Sequence, residues 1–462
     1  MGKMTLSESS DDALTRLIKE EKAQKINQLM RTCLKPKYER IMRYYFYADL
    51  SPQEIAILEK TSVKTIYTII KRSLEKLKIA IIYGADAVFV GGKEFSLRSQ
   101  ASNFTLEDIK EAVEFASQYG AHIHVTCNII LHQDNLEGIQ DYLQALDAIG
   151  VTAIIVADPY IMKIAKDMQL SLEVHVSTQL STLNLKAIEF YKSMGMDRVV
   201  LGREVTYDDL KTIMEYAPVD VEYFIHGAMC IHYSGRCMLS NYLSRRDANR
   251  GGCSQSCRWY YDLYQNGKLM NQEGDMPFSM SSKDMSLIDH IGELIELGVN
   301  SFKIEGRMKS LHYIATVVST YRKLIDAYCE NPDQFIQDGS YRQELMKAAN
   351  RALCHGFFYD HPSNEEQLFN LRDEHPTQEF VMRILEYDKQ NKQAKIEQRN
   401  YFKVGDHIEI FSPNHPNLFF TVQKLYNKDK ELIEVANHPM EILYIDVDLP
   451  LEVNDMGRKV SK

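Results

Sequence analysis

Hydrophobic positions along the chain follow two periods, and the change from one to the other divides it. Between about residue 80 and residue 310 short β-rich runs recur: Ala87–Val90, His122–Cys127, Ala153–Ala157, Leu172–Val176, Arg198–Leu201, Val221–Ile225, Phe278–Met280 and Phe302–Ile304. An amphipathic stretch with helical spacing follows each. Thr105 with Asp108 three residues on marks the start of one such helix as a capping box. Strands alternating with helices imply βα units and a parallel sheet, and eight of them suggest a closed ring more than an open sheet. The predicted fold is therefore α/β, a parallel (β/α) TIM-like barrel spanning residues 79–365. No G-x-G-x-x-G follows the first run, so a dinucleotide fold has little support. Helices are expected at 309–330 and 341–354. From 375 to 458 the apolar residues switch to period two between turn residues, as in EFVMRILEYD and DHIEIFSP, which predicts a small antiparallel β-barrel.

Residues 1–78 read as helical. Ser51-Pro52-Gln53-Glu54 forms a capping box with proline at the first helical position. Val63, Ile66, Ile69, Ile70 and Leu74 then recur at helical spacing, with Lys64, Lys71 and Arg72 on the other face. A helix-turn-helix that binds DNA or RNA through residues 51–78 and a plain helical hairpin both fit this layout.

Charge and composition narrow the class. The formal net charge is −10, with 45% hydrophobic residues and 26% charged. That balance describes an ordinary globular protein and argues against one coated in nucleic acid, while leaving local basic patches open. No apolar run of roughly 18 residues exists, so no membrane span is expected, and the polar N-terminus points to the cytoplasm. In that compartment the eight cysteines are expected to be buried, catalytic or metal-bound and not disulfide-linked.

Four of the cysteines carry the sharpest chemical signal, in the spacing Cys230-x6-Cys237-x15-Cys253-x3-Cys257. Four thiolates suit zinc or an iron–sulfur cluster. Zinc ribbons pair their cysteines as C-x2-C, and the wider, uneven spacing here favours a cluster. Gly235, Gly251 and Gly252 leave room for backbone N–H groups to approach the sulfurs. Polar residues also collect where barrel strands end: Gly91-Gly92-Lys93, Asn128, Asp158, His175 with Gln179, Arg203-Glu204, His226, and Lys303-Glu305-Arg307. The C-terminal rim is where α/β barrels place catalysis, so His175, Gln179, Glu204, His226 and Glu305 are catalytic candidates. Arg203, Lys303 and Arg307 could grip carboxylates, and Arg245, Arg246 and Arg250 could hold RNA phosphate. Salt bridges within the rim and a solvated loop remain the plainer alternatives.

Residues 222–240, EYFIHGAMCIHYSGRCMLS, resemble the signature of the peptidase U-32, collagenase-like family at Glu222, Phe224, Gly227-Ala228, Cys230, Gly235, Cys237 and Ser240. Further likenesses are YGADAVFVGGKEFSLRSQASNF (83–104), HVSTQ (175–179), RVVLGRE (198–204), RRDANRGGCSQSCRW (245–259) and the segment 281–310. The resemblance spans roughly residues 76–458, including the C-terminal barrel. Within the family the chain is most similar to the tRNA hydroxylation branch. That resemblance implies a 4Fe-4S cluster, prephenate as hydroxyl donor, tRNA wobble uridine as substrate and O2-independent C5 hydroxylation. A complex with a paralogous U-32 protein is a further possible partnership. The family's older label implies a peptidase instead, for which Cys230 beside His226 and His232 would be the arrangement. The N-terminal segment is similar to YlxM-type helix-turn-helix proteins through YYFYADLSPQEIA and VKTIYTIIKRSLEKL.

The chain departs from the family at one place. Relatives open with a strand of the type ELLAPAG, and here the helical segment runs straight into LEKLKIAIIYGADAVFV. A barrel without its first strand would carry an unpaired edge. Either a nucleic-acid-binding module has been fused or a gene junction has damaged the barrel, and in the second case a non-catalytic nucleic-acid-binding protein results.

Overall fold

The computed structural model describes residues 72–96, 104–250, 252–270, 278–306, 309–349, 351–368 and 377–460. The helix-turn-helix expectation falls almost wholly outside these residues, as do Arg307 and Gly251. The parallel sheet is built from β1 (Ala87–Gly91), β2 (His122–Cys127), β3 (Ala153–Val156), β4 (Glu173–Val176), β5 (Arg198–Val200) and β6 (Asp220–Ala228), hydrogen-bonded in that order. Preceding or between them run α1 (Arg72–Ile82), α2 (Leu106–Ser117), α3 (Ile139–Ile149), α4 (Pro159–Asp167), α5 (Leu185–Ser193) and α6 (Tyr207–Tyr216). β3 is buried along its whole length, at Ala153, Ile154, Ile155 and Val156. Strands buried on both faces need such apolar runs instead of alternation. Side-chain caps start the helices: Thr105 with Asp108 as a reciprocal box, Asp158 ahead of Pro159, Asn184, and Thr206. Each oxygen satisfies an N–H that the first turn leaves without a partner.

After β6 the regular alternation stops. A lobe from Cys230 to Met270 carries α7 (Leu239–Ser244) and a hairpin of Tyr264–Gln265 with Lys268–Leu269. The run at Phe278–Met280, expected as a barrel strand, pairs instead with Tyr260–Tyr261 outside the sheet. A two-residue strand meets the pattern criterion as well as a longer one, so periodicity alone could not place it. The sheet is completed by β7 (Asp284–Ser286), antiparallel to β6, and by β8 (Ser301–Ile304), parallel to β6. Between these two runs α8 (Ile291–Glu296), and beyond them α9 (Leu311–Glu330), which Ser310 caps. The helix expected over 341–354 is shorter: α10 spans Ser340–Met346, and β9 (Leu353–Cys354) pairs with β7.

Among the described residues β1 pairs only with β2, and β8 only with β6, so no ladder joins the two ends of the sheet. The sheet nevertheless curls until Lys303 of β8 places its Nζ 4.6 Å from the centre of the Phe89 ring on β1. The α/β fold and parallel sheet match expectation; a closed barrel is not formed by these strands.

The C-terminal part is an eight-stranded antiparallel sheet in the order β13-β12-β17-β10-β11-β16-β14-β15. Its strands are β10 (Glu379–Asp388), β11 (Gln393–Gln398), β12 (His407–Phe411), β13 (Leu418–Thr421), β14 (Leu425–Tyr426), β15 (Leu432–Ile433), β16 (Ile442–Asp446) and β17 (Met456–Lys459). β11 shows the expected alternation, burying Ala394, Ile396 and Gln398. The sheet is joined to the α/β part through Phe411 and Met456, which pack with Ile79 and Tyr83 and with Leu311 and Ile314 of α9. Arg458, fully buried, pairs with Glu409 (3.1 Å) and Glu344, and Lys347 pairs with Glu409 at 2.7 Å.

Candidate metal centre and active site

The four clustered cysteines come together just beyond the C-terminal end of β6. Cys257 lies within electrostatic range of Cys230, Cys253 and Cys237, and desolvation lifts its thiol to about 11 against the opposing pull of Arg258. Desolvation also raises the Cys230 thiol, with Arg203 the leading opposing influence and Cys253 and Arg258 close by. Cys230 and Cys257 are thus favoured as neutral thiols, which a metal ion would deprotonate on binding.

Neighbouring loops lock the cysteine segment in place. Glu204, at the end of β5, accepts the Ser234 amide at 2.8 Å and the Ser234 hydroxyl at 3.2 and 3.3 Å. The Ser181 hydroxyl donates to the Ser234 carbonyl. Gly235, at φ +76°, brings the loop so close to Gln179 that a Cβ would stand 2.0 Å from its carbonyl oxygen. Glycine is required here by contact as well as by dihedral. On the other side Ser240 of α7 accepts the Ser254 amide at 3.1 Å, and Ser244 donates to Ser254 at 3.0 Å. These bonds tie the Cys230–Cys237 half of the set to the Cys253–Cys257 half.

Arg203 is the cation nearest the thiols on the sheet side. Its guanidinium lies 3.7 Å over the Phe224 ring, with Nη2 3.7 Å from Glu305 of the loop after β8. Its buried Nε has no hydrogen-bond partner among the described residues. Gly227 (φ +129°) lets Glu305 approach, since a Cβ there would meet the Glu305 Cβ at 2.6 Å. Arg203, Glu204, Gln179 and Glu305 therefore border one mouth with the cysteines.

Other candidates lie elsewhere. His226 is sealed in the core, its Nδ1 3.2 Å from the Tyr321 hydroxyl, and burial lowers its pKa to about 3. His175 and Lys303 sit inside the sheet. His175 donates through Nε2 to Glu173 at 2.7 Å, and its ring meets His124 edge-on at 5.0 Å. Lys303 is buried with its Nζ on Glu222, which also accepts the Ser301 hydroxyl at 3.2 Å. Arg250 is paired with Asp134 (3.3 Å) and Asn135, across the loop after β2. Arg245 is exposed just past α7 with φ +52°, and Arg246 follows it half-buried.

The group that sequence patterns did not pick out is His124 with His175 and Glu222, whose ligand atoms all lie within 4.8 Å of one another. Lys303 already supplies the positive charge that a metal would bring there. Burial raises the Glu222 pKa, but the Lys303 charge outweighs it and holds the carboxyl at about 2. Among the described residues this is the one such compact group. Four cysteine sulfurs are a donor set that fits zinc or an iron–sulfur cluster.

Comparison with known proteins now decides the family. The profile of Peptidase family U32 matches residues 72–368, and that of the Peptidase family U32 C-terminal domain matches residues 376–458. The chain belongs to peptidase family U32. It is 49% identical over 391 residues to the tRNA hydroxylation protein P1 of Bacillus subtilis, covering 84% of this chain and 93% of that protein. The Escherichia coli 23S rRNA 5-hydroxycytidine C2501 synthase is 41% identical over 57% of this chain and 40% of its own length. A Porphyromonas gingivalis U32 relative named collagenase is 33% identical over 62% of this chain and 71% of that protein. Among the described residues no helix is long and apolar enough to cross a membrane.

Proposed function

We propose that this U32 protein hydroxylates C5 of the wobble uridine in tRNA without O2, using a four-iron cluster on Cys230, Cys237, Cys253 and Cys257 and a prephenate-type hydroxyl donor. The observation that carries the reading is the convergence of four thiols beside a buried arginine at the mouth of the sheet. Relatives named for tRNA and 23S rRNA hydroxylation support the substrate class.

No amino-acid side chain can deliver an oxygen atom to C5 of uracil, so a redox group is required. When bound, a four-iron cluster supplies one-electron chemistry next to the substrate. The chain's own residues supply the rest. Glu204 and Gly235 hold the cysteine loop against the strand ends. Arg203, with its unsatisfied Nε, offers a carboxylate-binding cation flattened on Phe224. Glu305 balances the Arg203 charge until a carboxylate arrives.

The collagenase reading needs an activated nucleophile. Cys230 lies among three other thiols as one of a ligand set, and His226, which could activate it, is sealed away on Tyr321. The deciding experiment is anaerobic purification with iron and acid-labile sulfide analysis, alongside nucleoside mass spectrometry of tRNA from a deletion strain. Iron and sulfide near four per chain and loss of 5-hydroxyuridine derivatives are expected. Stoichiometric zinc without sulfide, or unchanged tRNA, would overturn the proposal.

A further inference from the structure

The cysteine lobe concentrates exposed apolar rings and cations on one stretch of chain. Of the twenty-three exposed large hydrophobic side chains among the described residues, ten fall between residues 230 and 270. The two most exposed are tyrosines, Tyr242 at 83% and Tyr264 at 64%, and Tyr233 is 55% exposed. The same stretch carries six arginines and lysines against two aspartates, in a chain whose net charge is −10. A clustered apolar surface of this kind marks a docking site when something of complementary chemistry can cover it.

We infer that the Cys230–Met270 lobe is a single-stranded RNA platform, on which Tyr233, Tyr242 and Tyr264 stack unpaired bases while Arg236 and Arg245 take the phosphates. This deepens the tRNA reading and rests on it. Charge chooses the occupant. A net-positive surface suits a polyanion, and exposed rings interleaved with cations are what unstacked bases require, since every base offers a π-face. A duplex keeps its bases stacked and would meet only the arginines.

The placement links binding to chemistry. Tyr233 lies in the loop between Cys230 and Cys237 that Glu204 clamps through Ser234. Tyr242 rides on α7, which Ser240 and Ser244 tie to Ser254, the residue after Cys253. Tyr233, Tyr242 and the thiols are thus carried by one braced unit, so a base stacked on these rings arrives in register with the mouth. The lobe also separates its cations. Arg250 is committed to Asp134 and Asn135 and braces the loop, whereas Arg236 and Arg245 reach solvent.

The test uses the full chain and an anticodon stem-loop RNA, with a blunt duplex of equal length as control, read by fluorescence anisotropy. Tyr242→Ala and Tyr264→Ala should each weaken stem-loop binding by about 5- to 150-fold and leave duplex binding within about twofold, whereas Tyr242→Phe should bind as wild type. Arg245→Gln should lower the salt-dependence slope by about 0.7, and Arg250→Gln should not. Both tyrosines are exposed, so unchanged thermal melting is the check that the variants fold. Stem-loop affinity unaltered in both alanine variants would overturn the inference, whether or not wild type hydroxylates tRNA. So would unaltered RNA affinity with self-association lost in sedimentation, which would make the face a protein interface. Wild type that binds through the tyrosines but forms no 5-hydroxyuridine would instead remove the catalytic reading and leave the platform standing.

Discussion

Glu222→Gln is the substitution with the largest consequence that the structure allows to be worked through. Glu222 is buried on β6, with one carboxylate oxygen on Lys303 and the other accepting from Ser301 while lying 3.6 Å from Arg198 Nη1. Burial opposes ionisation, yet the Lys303 charge holds the carboxyl at about 2 against an ordinary 4.5. A depression of that size corresponds to about 3 kcal/mol of stability. The folded pKa lies below the unfolded one, so this stability is present above about pH 4.5 and is lost as pH falls towards 2. Glutamine removes it and also leaves the Lys303 ammonium buried without its partner, so the expected loss at pH 7 is about 3–5 kcal/mol. Adding Lys303→Met should recover most of that loss, because an apolar side chain between Phe89 and Phe224 needs no counter-charge. Urea unfolding of wild type, both single variants and the double variant at pH 7 measures the cycle. The wild-type-minus-Gln difference should narrow in titrations below pH 4.5. A Gln variant within about 1 kcal/mol of wild type, or a double variant as unstable as the sum of the singles, would refute the reasoning.

Three further outcomes follow from the same geometry. Gly235→Ala should displace the cysteine loop, because both φ +76° and the Gln179 carbonyl oppose a Cβ; iron and sulfide loading should fall by more than half with secondary structure intact by circular dichroism, and full loading would contradict the contact. Arg458→Met should leave Lys347 as the cation on the buried Glu409 carboxylate and lower stability by about 1.5–3 kcal/mol in urea, whereas the double variant with Glu409→Leu should regain part of it. His124, His226 and His312 are each held neutral by burial to about pH 3, so the unfolded chain binds more protons below its ordinary histidine pKa of about 6.5. Stability should therefore decline as pH falls from 6.5 towards 3, and a melting temperature that stays flat between pH 7 and pH 4.5 would argue against it.

Much of the fold was legible because buried parallel strands announce themselves as apolar runs. His122–Cys127 was bounded correctly, and six of its companions were found within a few residues. What escaped was short or irregular. β7 and β9 hold three and two residues, too few to show a period, and their pairing depends on where the chain returns after the cysteine lobe. Phe278–Met280 looks like its neighbours in sequence and differs only in partner. In the site, cysteine spacing was a local signal, and the four thiols it singled out lie near one another. Depth was not legible. Lys303 and Glu305 are two positions apart, yet one is spent on Glu222 inside the sheet while the other faces Arg203 at the mouth. Glu222 was visible only as a position of the family signature and His124 not at all, because nothing local marks a carboxylate or histidine as buried; a charged residue within an apolar strand run was the available clue.

Among the described residues no strand ladder joins β1 to β8, which leaves a seam between them. An unpaired strand edge invites slippage or pairing with another chain unless something blunts it, and an inward-pointing charge is one such device. Here Lys303 leans from β8 onto Phe89 of β1 and also lies 5.7 Å from Phe224, so one side chain bridges the place where a strand ladder would otherwise join the sheet. A lysine can do this inside a core only with a carboxylate at hand, and Glu222 on the adjacent β6 is that carboxylate. Outside the seam, α1 and α9 pack together with Phe411 and Met456 of the C-terminal sheet, and the Tyr83 hydroxyl donates to the Asn454 carbonyl at 2.8 Å. The C-terminal sheet thus acts as a buttress across the incomplete ring. Because β6 carries Glu222 near its start and leads directly to Cys230, any loosening of the seam should be transmitted along one strand to the thiols. Glu222→Gln is accordingly expected to lower iron loading as well as stability.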